Sequence, residues 1–433
     1  MARDSFRANE SVGAPGDAID WRAPLDRFLE SSPRVYLLAG ASILLFALGI
    51  FVDALFRTQL DFRVYLNGAR HLFDGSIYST RISMVPHLAF TYTPFAGLFF
   101  WPLTLFPFRA AQLIWLAISI ASLVSFLALS IWAVRPDLDR RRLWLAAAIL
   151  LGPMFFFEPI QANFGFGQVN IVLGFMVLAD LLVDIRVGPT RVPRGVLIGI
   201  AAAVKLVPLV FVAYLFVTRQ IRSALVASAS FAACTLIALA CNPHVSWLYW
   251  GKYAFDPKRI GGMFYLSNQS LRGSLDRITH TLIPAGPASA LAFVVLIAGL
   301  ALALWAHRAS SSYLGVLVTA TTGMLVSPIT WTHHIVWSIP ILVWLALARD
   351  RPVGGQWWAL AAAIVLWVSP VWRVSAVVHD EIHENVFESL AANSFFLLMV
   401  TFLVGVAAML TARRRRTVRT APKARVHYGS TSP

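Results

Sequence analysis

The chain has 433 residues, of which 58% are hydrophobic and 13% charged, with a mean hydropathy of +0.69 and a formal net charge of +15. A soluble domain is nearer 45–50% apolar and about 25% charged. A soluble enzyme, a disordered chain and a disulfide-stapled secreted scaffold are therefore excluded, and an all-α polytopic membrane protein remains. In such a chain the positive charge is first an orientation signal, and no nucleic-acid partner is expected.

Residues 1–34 are polar, with mixed charge, and lack the basic start, short apolar core and cleavage site of a signal peptide. They are expected to be a disordered cytosolic tail. About 20 apolar residues make one crossing, which predicts spans at about 35–55, 110–134, 143–157, 168–185, 223–241, 284–306, 313–327, 335–348, 357–371 and 393–411. Residues 94–108 are short and hold Pro94, Pro102 and Pro107, so they are expected to lie along the membrane surface. Residues 195–218 contain Lys205 and Pro208 at their middle and are expected to be two short helices. The total is about twelve transmembrane helices, with juxtamembrane helices in the first exported loop. Arg135, Arg140–Arg142, Arg186, Arg191, Arg194, Arg219, Arg222, Arg308, Arg349 and Arg351 mark the cytosolic loops, because short basic loops stay inside. Residues 412–433 continue this as a basic cytosolic tail, with Arg413–Arg416, Lys423 and Arg425 resting on anionic lipid. Both termini are then cytosolic in a multi-pass plasma-membrane protein. The cytosolic side carries 24 basic and 11 acidic residues and accounts for most of the net charge.

The segments left outside are 56–109, 158–167, 242–283, 328–334 and 372–392. They are aromatic and rich in Asp, Asn, Gln, His and Arg, so function is expected on this face. Asp61 stands just beyond the first span, in Asp61-Phe-Arg63-Val-Tyr65. It could pair with Arg63, or act as a general base at the membrane–water boundary. Tyr92-Thr-Pro94-Phe95 closes the same loop. Gln168-Val-Asn170 opens a span after Gly165 and Gly167; its amides could cap the helix or bind hydroxyls. Lys205 inside apolar sequence is costly unless paired, which makes it a candidate anion site. Arg272, in Asn268-Gln-Ser270-Leu-Arg272-Gly273, is a second candidate for holding phosphate. His333 and His334 follow Trp331 between two spans. Adjacent histidines do not share a helix face, so a joint metal site is not expected.

Three further features are set aside. Cys234 and Cys241 are seven residues apart on one helix, about 10 Å, which is too far for a disulfide. Asp137-Leu-Asp139 resembles a metal-binding Asp-x-Asp but sits in a tight arginine-rich cytosolic turn. His379 and His383 have helical spacing, but the intervening residue is Asp380, not the Glu of a zinc-protease motif.

Taken in order, Asp61-x-x-x-Tyr65, Gly75-x-x-x-Tyr78, Tyr92-Thr-Pro94-Phe95, Gly167-Gln168-Val-Asn170, Ala203-Val-Lys205-Leu-Val-Pro208, Asn268-Gln-Ser270-x-Arg272-Gly273 and Ser327-Pro-x-x-Trp331-x-His333-His334 resemble the GT-C membrane glycosyltransferases. They are most similar to glycosyltransferase family 87, the polyprenol-phosphate-mannose-dependent α-1,2-mannosyltransferases. Each motif is weak alone, but the ordered set spans roughly 35–411. One departure is Thr93, where relatives often carry Pro.

The resemblance implies a GT-C catalytic domain over 35–411. It implies an inverting transfer of mannose from polyprenyl phosphate mannose to the 2-hydroxyl of a mannosyl acceptor, a phosphatidylinositol mannoside at the tetramannoside-to-pentamannoside step. Asp61 would be the base. Lys205, Arg272 and His333 or His334 would hold the donor phosphate. Arg63, Tyr65, Tyr92, Gln168, Asn170, Asn268 and Trp331 would contact sugar and acceptor. No metal and no cofactor beyond the lipid-linked donor are expected, the partners are membrane lipids, and a monomer is assumed. The alternatives are a lipomannan or other polyprenyl-phosphate-sugar transferase, and a lipid or sugar transporter. A transporter would string charges along the midplane and show internal repeats.

Overall fold

The computed structural model describes residues 22–31, 33–256, 259–374 and 385–420. Lys258, His379, His383, Lys423 and Arg425 lie outside them, as do residues 1–21. Helices dominate the described residues. The sequence predicts no strand, yet Arg186–Val187 pairs with Thr190–Arg191 as a small antiparallel hairpin. Gly188, at a φ of 58°, makes the reversal possible.

Six helices are long and apolar enough to cross a bilayer: Pro33–Ala54, Phe108–Val134, Ile221–Cys241, Ala285–Ala309, Gly355–Trp372 and Ser394–Arg416. Arg140–Phe155 and Glu158–Phe166 make a seventh if counted together, but they meet at a 79° bend. The expected loop 158–167 is thus a helical arm turned off the end of its span. The other expected crossings are shorter helices. Asn170–Leu182 has 13 residues, Ser312–Val326 has 15, and Ser338–Leu347 has 10. A 13-residue helix is about 20 Å long, short of the roughly 30 Å hydrocarbon core.

Burial explains the two classes. The short helices are buried along nearly their whole length. The long ones expose large apolar side chains, among them Leu37, Leu44, Phe51, Leu113, Leu236 and Phe293. The long helices therefore form the lipid-facing coat, and the short ones form a core whose backbone is satisfied inside protein.

As expected, 195–218 is two helices, Val196–Val204 and Leu209–Val217. Asp180 accepts hydrogen bonds from the backbone N–H groups of Gly195 and Ile198 at 2.9 Å, answering donors left open at the start of the first. Gly195 takes a φ of 109°, and a Cβ there would stand 2.3 Å from the Ser223 carbonyl oxygen. Gly199 is equally close to Ala227 and Ser230, so this helix lies flush against Ile221–Cys241.

Within the expected tail of residues 1–34, Arg22–Ser31 is a helix. Asp26 pairs with the buried Arg135 at 2.6 Å and Glu30 with Arg142 at 3.1 Å. Asp137 also pairs with Arg135, and Asp139 caps helix Arg140–Phe155. Both aspartates of the Asp-x-Asp decoy thus have structural roles. At the other end the last helix runs through Arg413–Arg416 to Thr420. Arg413 donates to the Asp350 carbonyl oxygen and Ser310 Oγ, so this arginine is held by protein rather than by lipid.

Gly199→Val should force the two helices apart. A loss of about 1–3 kcal/mol is expected, read as a lower thermal unfolding midpoint of the detergent-purified protein. An unchanged midpoint would contradict the packing described.

Candidate active site

The site begins at a left-handed residue. Gln59, at a φ of 47°, turns the chain out of the first span and into helix Leu60–Arg70, with Asp61 in its first turn. A carboxylate there faces the positive end of the helix. Across from it, helix Glu158–Phe166 ends at Gly167, whose φ is 68°. A Cβ on Gly167 would lie 2.7 Å from Cβ of Phe62. Only glycine lets the two backbones approach this closely, and the approach delivers Gln168 to Asp61.

Gln168 Nε2 donates to Asp61 Oδ2 at 2.5 Å. Its Oε1 accepts from Tyr65 at 2.8 Å and from Asn170 Nδ2 at 3.2 Å, with the Tyr92 hydroxyl at 3.5 Å. The two tyrosine hydroxyls are 3.0 Å apart. Asn170 Oδ1 accepts from Lys205 Nζ at 2.7 Å, and that ammonium is 2.9 Å from His334 Nε2. The Tyr92 ring lies 5.4 Å below the ammonium. Six residues predicted from sequence are thus joined to Asp61 in one polar chain: Tyr65, Tyr92, Gln168, Asn170, Lys205 and His334.

Lys205 reaches this position because the chain breaks there. Helix Val196–Val204 ends, Lys205 is extended (φ −147°, ψ 129°), and Pro208 opens the next helix. Thr93 explains the departure from Pro. Its hydroxyl accepts from Ala96 N, capping helix Pro94–Phe100, and donates to the Ala203 carbonyl oxygen. Helix Pro94–Phe100 is thereby tied to the helix that ends at Lys205.

Beyond Lys205 and His334 lies a cleft. Asn170, Lys205 and His334 form its polar end. Leu173, Val177, Phe211, Met324 and Trp337 are among its apolar walls.

The side chains of the remaining predicted residues do not join this polar chain. Arg63 donates to the Thr58 carbonyl oxygen and lies 4.0 Å over the Phe108 ring, not beside Asp61. Arg272 donates to the Ile283 carbonyl oxygen and is 3.8 Å from the buried Asp276, so it stabilises its own loop. Asn268 is fully buried; its amide bonds Met263 O, Ser270 N and Thr330 N. Trp331 forms a β-bridge with Asn268 and stands edge-on to Tyr265. The His333 ring packs between Phe166 and His334, and its nitrogens have no partner among the described residues. Its carbonyl oxygen is held by Asn163 at 2.6 Å and by Asn170 at 3.1 Å.

Two residues were missed. Asn163 fixes the His333 backbone. Glu158 is buried and accepts from Thr332 at 2.6 Å and from Trp372 Nε1 at 2.9 Å. A carboxylate at the end of an apolar run is a signal that could have been read.

The chemistry available is that of a carboxylate and an ammonium at two ends of an amide relay. Asp61 lies outside the spans. Burial raises its carboxyl to about 6, opposed by the Gln168 hydrogen bond and the Lys205 charge. It is a base near neutral pH with more proton affinity than an ordinary carboxylate.

Comparison with known proteins identifies relatives of this chain. The model of glycosyltransferase family 87 matches residues 90–328. A Mycobacterium tuberculosis (strain H37Rv) polyprenol-phosphate-mannose-dependent α-(1-2)-phosphatidylinositol mannoside mannosyltransferase is 32% identical over 406 residues, 88% of this chain and 91% of that protein. A Mycolicibacterium smegmatis polyprenol-phosphate-mannose-dependent α-(1-2)-phosphatidylinositol pentamannoside mannosyltransferase is 33% identical over 392 residues, 84% and 90% of the two chains. No solved structure was found to match.

The Asp61 carboxyl should titrate near pH 6, seen as loss of its infrared C=O stretch as pH rises. Gln168→Leu removes a bond that favours the ionised form, so the midpoint should move up by about one unit. No movement, or movement downward, would reject the Gln168 contact.

Proposed function

The chain belongs to glycosyltransferase family 87, and on that basis we propose that it transfers mannose from polyprenyl phosphate mannose to the 2-hydroxyl of a mannosyl lipid. The observation that carries the proposal is the chain from Asp61 through Gln168 and Asn170 to Lys205 and His334, ending at an apolar cleft. The cleft suits a polyprenyl chain, and the ammonium at its mouth suits the phosphate. Asp61, at the far end of the relay, we assign to the acceptor.

The reaction is a single displacement. The acceptor oxygen attacks the anomeric carbon of the donor sugar while Asp61 takes its proton. The bond from that carbon to the phosphate oxygen breaks, and the electron pair leaves with the lipid phosphate. Attack opposite a β-linked phosphate inverts the centre and yields an α-mannoside. Lys205 stabilises the charge that grows on the leaving phosphate, where it counts most. His334 is the histidine we assign beside it, because His333 faces packed rings. Tyr65, Tyr92 and Gln168 orient the attacking sugar. The Lys205 charge does the electrostatic work, and no cofactor beyond the lipid-linked donor is assigned.

We read the fold as GT-C with about twelve crossings, the site on the exported face of the plasma membrane and both termini cytosolic. The contacts of helix Arg22–Ser31 and of Arg413 with arginine-rich loops support this, since they gather both chain ends on the basic side. The acceptor step we assign is tetramannoside to pentamannoside. The pentamannoside named for one relative favours a second reading, in which the pentamannoside itself accepts.

Purified protein should mannosylate one of these lipids from polyprenyl phosphate mannose, and transfer to neither would overturn the reading. Transfer should weaken as pH falls below about 6, because Asp61 is then protonated. Asp61→Asn should insert normally and lose transfer by about a thousandfold. Lys205→Ala should raise the donor KM about tenfold and lower kcat. Wild-type turnover in the first variant, or unaltered donor dependence in the second, would remove that residue from its role.

A further inference from the structure

Three aromatic rings from three separate segments converge. Tyr265 stands edge-on to Trp331 at 5.8 Å between ring centres, and to Trp372 at 6.1 Å. Tyr265 and Trp372 keep 44% and 43% of their surface exposed. Trp331 is partly exposed and three residues from His334. One buried carboxylate sets this arrangement. Glu158 Oε1 accepts from the Trp372 indole and from Thr332, the neighbour of Trp331, so a single oxygen fixes both tryptophan-bearing loops. The second oxygen, Oε2, is buried and has no partner among the described residues.

We propose that Tyr265, Trp331 and Trp372 form a platform that holds a sugar of the acceptor glycan beyond the sugar that reacts. This rests on the reading that the acceptor is an oligomannosyl lipid. A pyranose ring has one face of C–H groups, which packs on exposed aromatic rings, and a rim of hydroxyls, which needs acceptors.

A belt of lipid-anchoring aromatics is the competing account. Belt tryptophans and tyrosines sit at headgroup level with their polar tips turned to the wet side. The Trp372 N–H is instead turned inward to a buried carboxylate. Belt residues also ring the perimeter, whereas these three meet at one place. Gly261 completes the arrangement. A Cβ there would lie 2.7 Å from the Trp331 indole, so the loop backbone covers part of that ring and steadies it.

The test compares two acceptors on the full-length purified protein: a phosphatidylinositol tetramannoside, and octyl α-mannoside, which has one sugar. Trp372→Ala and Tyr265→Ala should each raise the KM for the tetramannoside about tenfold. The kcat, the donor KM and the kinetics with octyl α-mannoside should stay within about twofold. Trp372→Phe keeps a ring and should recover most of the loss. Saturation transfer from protein aromatic protons to free mannotetraose should be seen with wild type and lost in Trp372→Ala. Equal impairment with both acceptors, or no effect with either, would overturn the platform. Wild type that transfers to neither acceptor would defeat the mannosyltransferase reading itself, a failure separable from that of the platform.

Discussion

A primary ammonium in an apolar wall must be answered by polar groups, and the centre of this molecule is built around that demand. Lys205 interrupts what would otherwise be one continuous span. An isolated charge at that depth is costly. Three elements relieve the cost: Asn170 at the start of one buried helix, His334 before another, and the Tyr92 ring from the first loop. Local devices bring these groups together: a break before Pro208 for Lys205, a left-handed Gly167 for Asn170 and a threonine cap at residue 93 for Tyr92. Those devices look unrelated in the sequence, and they share one electrostatic purpose.

The same demand separates opposite charges usefully. Asp61 and Lys205 are joined through neutral amides rather than in a direct ion pair. A direct pair would neutralise both groups. With Gln168 and Asn170 between them, each charge keeps an open side. The amides also have fixed polarity. Gln168 turns its N–H to the carboxylate, and Asn170 turns its oxygen to the ammonium. Reversing either amide would place like poles together, so the relay supports one charge state at each end.

The sequence revealed groups whose placement is expensive. Asp61 and Lys205 stood out because ionisable residues at a bilayer boundary need a reason, and both lie in the relay. The split of residues 195–218 was readable from Lys205 and Pro208. What was not readable is how a loop spends its own hydrogen bonds. Arg272 and Asn268 have suitable chemistry, but Ile283 and Asp276 draw on the first and Met263, Ser270 and Thr330 on the second. The tandem histidines differ only in direction, which residue type does not encode. The short helices were predicted as ordinary spans because hydropathy cannot tell lipid from protein as an apolar neighbour. Glu158 was passed over because its partners, Thr332 and Trp372, are far away in the chain.

Asp180 and Lys205 sit at opposite ends of helix Val196–Val204. The aspartate holds the first N–H groups, and the lysine follows the last residue. The helix is therefore a strut of fixed length, about 13.5 Å at 1.5 Å per residue, measured from one anchored end. The position of the cation is set by counting residues from Gly195, the end that Asp180 holds. A residue added or removed within the strut would move the ammonium by 1.5 Å and turn it by about 100°, away from both Asn170 and His334. Side chains along the strut can vary as long as they stay apolar and small where they meet the neighbouring helix. Its length cannot.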